Sequence, residues 1–299
     1  MVMKIIERSV QEIGESLLVS LPKGWTKTMQ IKKGSMLKML VAENGRLLIA
    51  PEFTQPEKKS ETTIAYDEHF ERKFFREYFG QYEKIHITFT QGLSDKERRE
   101  LGLFLQRFMN VQIIEESRGS IVVKAFAIQE LSIEECMKRM HFLSLNMFEE
   151  KKQGSKTAKL QEMRDTMTRF YYMLIMQVRR FLTEGKYTEE NQIPLIKAMD
   201  IRMVAEKMQR IAEHIINMKS SKTILFEEIE DYYADSFRYY STENFDKASL
   251  LWKKGNLLWK KYEEKKQKAK QKKDFEKYET VSSLQQITRL AKEISMLVR

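Results

Sequence analysis

The chain has 299 residues and a formal net charge of +10, with 53 Lys and Arg against 43 Asp and Glu. Its 42% hydrophobic residues suffice for real cores, and four Pro and eleven Gly exclude collagen-like or Pro-rich sequence. The sequence contains no apolar run of the roughly 18–20 residues needed for a membrane span, and the single Cys136 excludes an intramolecular disulfide. We therefore expect a cytoplasmic protein of about two domains, without membrane insertion.

Residues 1–53 have the pattern of a small β-domain. The run "SLLVS" stops just before Pro22, which has no N–H for a strand ladder, and one or two helical turns follow. "KKG" at 32–34 predicts a turn, and two apolar runs around Asn44 and Gly45 predict a hairpin. Since about 50 residues with short strands bury little core, we expect a second copy to complete this domain as a dimer.

Residues 61–130 predict a small α/β domain. "TTIAY" and "KIHITFT" are strand-like, and a helix lies between them, with Asp67 as its predicted N-cap and Gly80 at its end. A second helix opens with Ser94 and Glu97 at the spacing of a capping box. Two further strand-like runs follow. The order β-α-β-α-β-β predicts a small sheet with helices on one face.

Residues 131–299 predict an all-α up-and-down helical bundle. Apolar residues recur at alternating spacings of three and four, which is typical of helices that pack through one narrow face. Four stripes show this pattern: Cys136, Met140, Leu143 and Met147; Leu160, Met163, Met167, Phe170, Leu174, Val178 and Phe181; Val204, Met208, Ile211, Ile215 and Met218; and Leu284, Ile287, Ala291, Ile294 and Val298.

The chemistry-bearing residues do not favour an enzyme. The four histidines lie on different predicted elements without a metal-ligand spacing, and the sequence has no Gly-rich phosphate loop and no Gly-x-Ser-x-Gly elbow. Cys136 falls on the apolar face of its helix, as a small core residue does.

Two charged segments leave alternatives open. Glu206, Arg210, Glu213 and Asn217 share one helix face, which is typical of a surface ion pair, although carboxylates from several helices could also ligate a cation. The segment Lys260–Lys277 holds nine Lys and four acids. It is either a solvated helix end or a surface for phosphate or lipid.

The N-terminal sequence "SLLVSLPKGWTKTMQIKKGSMLKMLVAENGRLLIAP" resembles the SpoVT/AbrB swapped-hairpin domain over residues 3–51. The resemblance implies a domain-swapped dimer that binds DNA or forms the antitoxin half of a toxin pair. The cations nearest the predicted turns, Lys4, Arg8, Lys23 and Lys27, are the candidate DNA contacts. A domain that only dimerises is the alternative, since nearby glutamates dilute the positive charge.

The helical part resembles the PhoU family, most clearly at "DIRMVAEKMQRIAEHIINM". Some members hold iron or zinc clusters on paired carboxylates, but this chain departs from that motif. Gln209 and Glu213 stand at one pair of acid positions and Gln285 and Arg289 at the second, while Asp165 alone remains near a third. We therefore expect a bundle that has lost most of its metal site and binds no Fe, Zn or Mg.

Together these resemblances describe a multidomain phosphate-uptake regulator of an archaeal type, not an enzyme, that binds DNA as a homodimer and signals through its bundle. The first alternative is a PhoU-type accessory that docks a phosphate-transporter ATPase or a signalling kinase without binding DNA. The second is an antitoxin-like binder.

Overall fold

The computed structural model describes residues 6–41, 47–51, 60–126, 131–184, 195–219 and 224–298. The chain separates into two compact units, of which the smaller contains Met1–Glu57 and the larger begins at Lys58 and holds nearly all of the remaining chain. Within the described ranges, no helix is long and apolar enough to cross a membrane.

The smaller unit consists of two hairpins with a short helix between them. Its elements are β1 (Val10–Ile13), β2 (Ser16–Val19), α1 (Lys23–Thr28), β3 (Leu37–Val41) and β4 (Leu47–Pro51). β1 pairs with β2 and β3 pairs with β4, both antiparallel. The second pairing confirms the predicted hairpin, whereas Asn44 and Gly45 lie outside the described residues.

The larger unit opens with a four-stranded mixed sheet. Its elements are β5 (Glu61–Ala65), α2 (Phe70–Phe79), β6 (Lys84–Thr88), α3 (Asp95–Leu105), β7 (Val111–Glu116) and β8 (Ser120–Ala125). The spatial order is β5-β6-β8-β7, with β5 and β6 parallel and the other pairs antiparallel. The predicted order of strands and helices is confirmed.

The two predicted helix starts in this segment have different outcomes. Ser94 and Glu97 form the predicted capping box, with the Ser94 amide donating to the Glu97 carboxylate at 2.8 Å. The Asp67 prediction is wrong, because α2 begins at Phe70 with His69 as its N-cap. Asp67 instead accepts a hydrogen bond from the His69 amide at 2.9 Å, a local turn that precedes the helix.

Six helices follow the sheet in the part of the chain that the structure describes. They are α4 (Ile133–Lys152), α5 (Thr157–Glu184), α6 (Leu195–Asn217), α7 (Ile224–Ser241), α8 (Phe245–Gln271) and α9 (Phe275–Ser295). α9 packs against α6, α7 and α8, and α4 packs against α6. The four predicted stripes lie in one hydrophobic core, with Met163 and Phe170 partly buried against it. The side chain of Phe181 lies outside the described part of the chain.

The Lys-rich segment Lys260–Lys277 is a helix end and a helix start. It contains the last turns of α8, a turn at Lys273 with φ 55°, and the first turn of α9, whose N-cap is Asp274. The Asp274 side chain accepts a hydrogen bond from the Lys277 amide at 3.1 Å. This secondary structure is compatible with both interpretations of the segment.

α8 approaches α7 so closely that Gly255 leaves no room for a side chain. A Cβ at Gly255 would lie 2.2 Å from the hydroxyl oxygen of the fully buried Tyr232. We expect Gly255→Ala to lower the free energy of unfolding by about 1–3 kcal/mol through overpacking. Gly102→Ala is the control, because a Cβ there meets no atom within 4 Å.

Removing a helical glycine at such an open position should stabilise the protein by roughly 0.5–1 kcal/mol. Urea denaturation of both variants measures the difference. A Gly255→Ala variant as stable as the wild type would contradict the close packing.

Candidate functional site

One face of the β3–β4 hairpin is entirely apolar. In the register of this pair, Leu37 lies opposite Pro51, Met39 opposite Ile49 and Val41 opposite Leu47. Residues two apart on a strand point to the same side, so these six side chains share one face. The side chains of Met39 and Val41 are 63% and 77% exposed. A continuous apolar face therefore lies open on a single copy of the chain.

The β1–β2 hairpin is also open, but each of its faces mixes apolar and polar residues, with Glu12 on the face of Val10 and Ser16 opposite Ile13. Its residues are all exposed, including Val10, Ile13 and Leu17. None of the described residues in Met1–Glu57 is buried. Since an isolated two-stranded hairpin is marginally stable at best in water, this unit needs a further surface to bury its apolar side chains.

The predicted DNA-contacting residues lie on the surface of this unit. Lys23 and Lys27 are exposed on α1 at a spacing of four, which places both ammonium groups on one side of the helix. Arg8 is exposed just before β1, and its guanidinium donates to the backbone oxygen of Glu7 at 3.2 Å. Lys4 lies outside the described residues.

The initial prediction omitted three more cations of the same unit, Lys32, Lys33 and Lys38, all exposed. The first two open the turn at Gly34, where φ is 86° and the Lys32 amide donates to the Ser35 hydroxyl at 2.9 Å. For the first two, the signal is the Lys-Lys-Gly sequence itself, because it places two cations at a predicted turn.

The described cations of this unit make no ion pair within the described chain. Its described residues hold six Lys and Arg against three Glu. None of the six forms an ion pair with another described residue. The described part of this surface therefore carries more positive than negative charge.

Gln285 lies at one predicted metal-site position, but its side chain takes part in a hydrogen-bond network with protein side chains. It is 1% exposed, accepts a hydrogen bond from Lys266 at 2.7 Å, and donates to the Glu263 carboxylate at 2.8 Å. Hydrogen bonds from Lys266, Gln285 and Gln267 hold the pKa of Glu263 at about 2. The hydrogen bonds of Gln285 with Lys266 and Glu263 therefore connect α8 to α9.

The remaining predicted positions form no carboxylate cluster among the described residues. Asp165 is exposed and pairs with Arg164 at 2.8 Å, and Gln209 donates to the Thr168 hydroxyl at 3.4 Å. Glu213 is exposed, and Arg289 lies 4.0 Å from Glu293. Across the described residues, no three His, Cys, Asp or Glu side chains are grouped so that they could hold a metal ion.

The other residues singled out in the sequence have structural roles. Arg210 and Glu206 form the expected surface ion pair at 3.8 Å, with both side chains about half exposed. Cys136 is fully buried, and burial raises the pKa of its thiol to about 12. His141 stacks on Phe237 at 4.2 Å, and burial lowers its pKa to about 4, so its imidazole is neutral at pH 7.

Comparison with known proteins supports the N-terminal resemblance. Residues 10–60 match the family model described as "Antidote-toxin recognition MazE, bacterial antitoxin". The match spans both hairpins and α1, so the smaller unit contains a MazE/AbrB-like domain. No curated protein and no solved structure matches the chain.

Proposed function

We propose that this chain is a homodimeric cytoplasmic regulator of phosphate uptake that binds DNA through its N-terminal unit and signals through its helical bundle. The MazE-type match at residues 10–60 supports the DNA-binding part, because such domains dimerise and bind DNA or toxins. The phosphate-uptake part rests on the PhoU-like motif around Arg210, Glu213 and His214 on α6.

The observation that carries the proposal is the exposed apolar face of the β3–β4 hairpin, which contains Met39 and Val41. Two copies that exchange hairpins would cover Met39, Val41 and Leu47 and close a small barrel. The resemblance to the SpoVT/AbrB swapped-hairpin domain implies such an exchange. The gain is the transfer of apolar area out of water, at about 25 cal/mol per Å². The dimer would therefore be the folded form of this unit.

A symmetric dimer also supplies the geometry for DNA. It would present Lys23 and Lys27 from two symmetry-related copies, with Arg8, Lys32 and Lys33 beside them. Lysine contacts to phosphates provide affinity that falls with salt, whereas contacts to base edges provide sequence preference. β-Ribbon proteins place such units in a DNA groove.

Two other functions predict different behaviour. An accessory that docks a transporter ATPase or a signalling kinase would show no salt-sensitive DNA binding. An antitoxin is favoured by the name of the matched family, "Antidote-toxin recognition MazE". Against it, the match ends at residue 60 of 299, and a long helical domain follows where a flexible toxin-binding tail would be expected.

The proposal includes no catalytic activity and no resident metal. Two of the positions where the PhoU resemblance implies carboxylates are held by the neutral Gln285 and the cationic Arg289. Gln285 is already bonded to Lys266 and Glu263, so it would have to break those bonds to face an ion.

For the dimer, we expect Met39→Glu to shift the full chain toward monomer, because the charge would enter the buried apolar face. Leu103→Glu on α3 is the matched control, since Leu103 is 64% exposed and Met39 is 63% exposed. Sedimentation velocity over a concentration series measures the mass. The dimer hypothesis fails if the two variants have the same mass at every concentration.

For DNA binding, we expect the double variant Lys23→Gln/Lys27→Gln to bind DNA upstream of phosphate-transport genes more weakly. The slope of the logarithm of the binding constant against the logarithm of the salt concentration should become shallower by about one for each lysine that contacts a phosphate. Lys253→Gln/Lys254→Gln on α8 is the control, because these lysines are exposed and pair with no described acid.

Fluorescence anisotropy across a salt series, with a scrambled duplex for comparison, measures both quantities. Equal binding to the two duplexes, or equal losses in the two double variants, would mean that the charge is generic. The accessory function would then replace the DNA-binding one.

For the metal, we expect purified protein to contain substoichiometric Fe, Zn and Mg by mass spectrometry, because the ligand positions lack paired carboxylates. Glu213→Gln should leave this content unchanged. A stoichiometric metal that is lost in Glu213→Gln would contradict the proposal and reopen a metal-dependent activity.

A further inference from the structure

A cavity of about 740 Å³ opens on the surface of the larger unit. Its wall is formed by the end of α4 at Lys151, the first turn of α5 at Thr157, the end of α6 at His214 and Asn217, and the first half of α9 at Ser283. Small-molecule sites in proteins have roughly 300–1,000 Å³, so this cavity has the size of a ligand site.

Two lysines contribute positive charge to this wall. Lys151 is half-buried and donates to the backbone oxygen of Ile216 at 3.2 Å. Burial, and secondly the charge of Lys219, lower the pKa of Lys151. The wall also contains Glu279, but its carboxylate lies 4.0 Å from Lys219 and both side chains are more than half exposed. An anion between the two ammonium groups would relieve their repulsion.

The polar side chains of the wall are available for a ligand. Ser283 is only 8% exposed, and its hydroxyl makes no hydrogen bond to any described residue. Thr157, Gln161, Ser282 and Gln286 likewise make no side-chain hydrogen bond within the described chain. The cavity wall therefore offers hydroxyl and amide groups that make no hydrogen bond within the described chain and that can donate to a ligand.

The backbone at the start of α5 also contributes positive electrostatic potential at the cavity wall. α5 begins at Thr157, in the wall, and runs for 28 residues. The free amides at the start of such a helix favour a negative group. Lysine charges, hydroxyl donors and a helix start therefore line one cavity, and each of them suits a phosphate oxygen.

We propose that this cavity binds a small phosphate-bearing molecule, with Lys151, Lys219 and Ser283 holding the phosphate group. The volume exceeds what inorganic phosphate needs, and Met218 and Tyr278 on the wall offer apolar contact to an organic part of the molecule. The inference does not depend on DNA binding, since the cavity lies wholly within the larger unit.

Isothermal titration calorimetry on the full chain tests this site with two probes, inorganic phosphate and ATP, at constant ionic strength. We expect saturable binding of at least one probe at millimolar or lower concentration. Lys219→Gln should weaken that binding about tenfold, the usual effect of losing one hydrogen bond to a charged group. Lys219 is largely exposed, so this change spares the core.

Ser283→Ala is the second variant, and it should weaken binding through loss of the unpaired donor without removing a charge. Lys253→Gln on α8 is the control for net charge and should bind like the wild type. Thermal unfolding of each variant verifies that it is folded. The proposal is overturned if neither probe saturates, or if Lys219→Gln, Ser283→Ala and Lys253→Gln bind the probe equally well.

Discussion

The contact on which the larger unit depends is made by Tyr172 in the middle of α5. Its ring lies 5.2 Å from that of Phe75 and 5.3 Å from that of Phe108, so it packs among the aromatic side chains above the sheet. The next two residues, Met173 and Leu174, lie in the core of the helical bundle. One helix thus contributes to both hydrophobic cores. The sheet and the bundle therefore belong to a single compact unit.

The smaller unit is subject to the opposite constraint, because none of its described residues is fully buried. A hairpin with Met39 and Val41 in water gains little from folding alone, so in the proposed dimer its stability and its self-association would have one physical origin. Any anion-binding surface built on α1 would then exist only in the associated form. Dimerisation and binding are coupled in the proposed function for this reason.

Local patterns in the sequence predict much of the fold. The stripe of Cys136, Met140 and Met147 and the capping box at Ser94 can be recognised from spacings along one helix, and both are confirmed. The prediction of Asp67 as the N-cap of α2 is wrong because a short carboxylate can close a turn before a helix as readily as it can cap one. β1 was not identified as a separate strand, since Gln11 and Glu12 interrupt its apolar pattern.

The candidate sites were harder to predict because they depend on contacts between distant segments. The motif identified Gln285 as a departure from an acid, but its hydrogen bonds to Lys266 and Glu263 need the packing of α8 on α9. The cavity joins residues from four helices and the segment after α6, and no spacing along the chain relates Lys151 to Ser283. Sequence periodicity describes one face of one helix, whereas the wall of this cavity is formed by side chains from several helices.

The uneven charge of the chain gives it two basic surfaces, the N-terminal cations and the lysines of α8, which differ in what they could select. Lysines of α8 such as Lys253, Lys254 and Lys260 are exposed without an ion pair in the described chain, so they attract any polyanion in a salt-dependent way. The N-terminal cations differ because a two-fold dimer would repeat them at a fixed separation. Generic charge raises affinity for every duplex alike, whereas repeated contacts at a fixed spacing select a site with matching symmetry. Sequence preference, rather than affinity or salt dependence, is therefore the property that distinguishes a DNA reader from a basic surface.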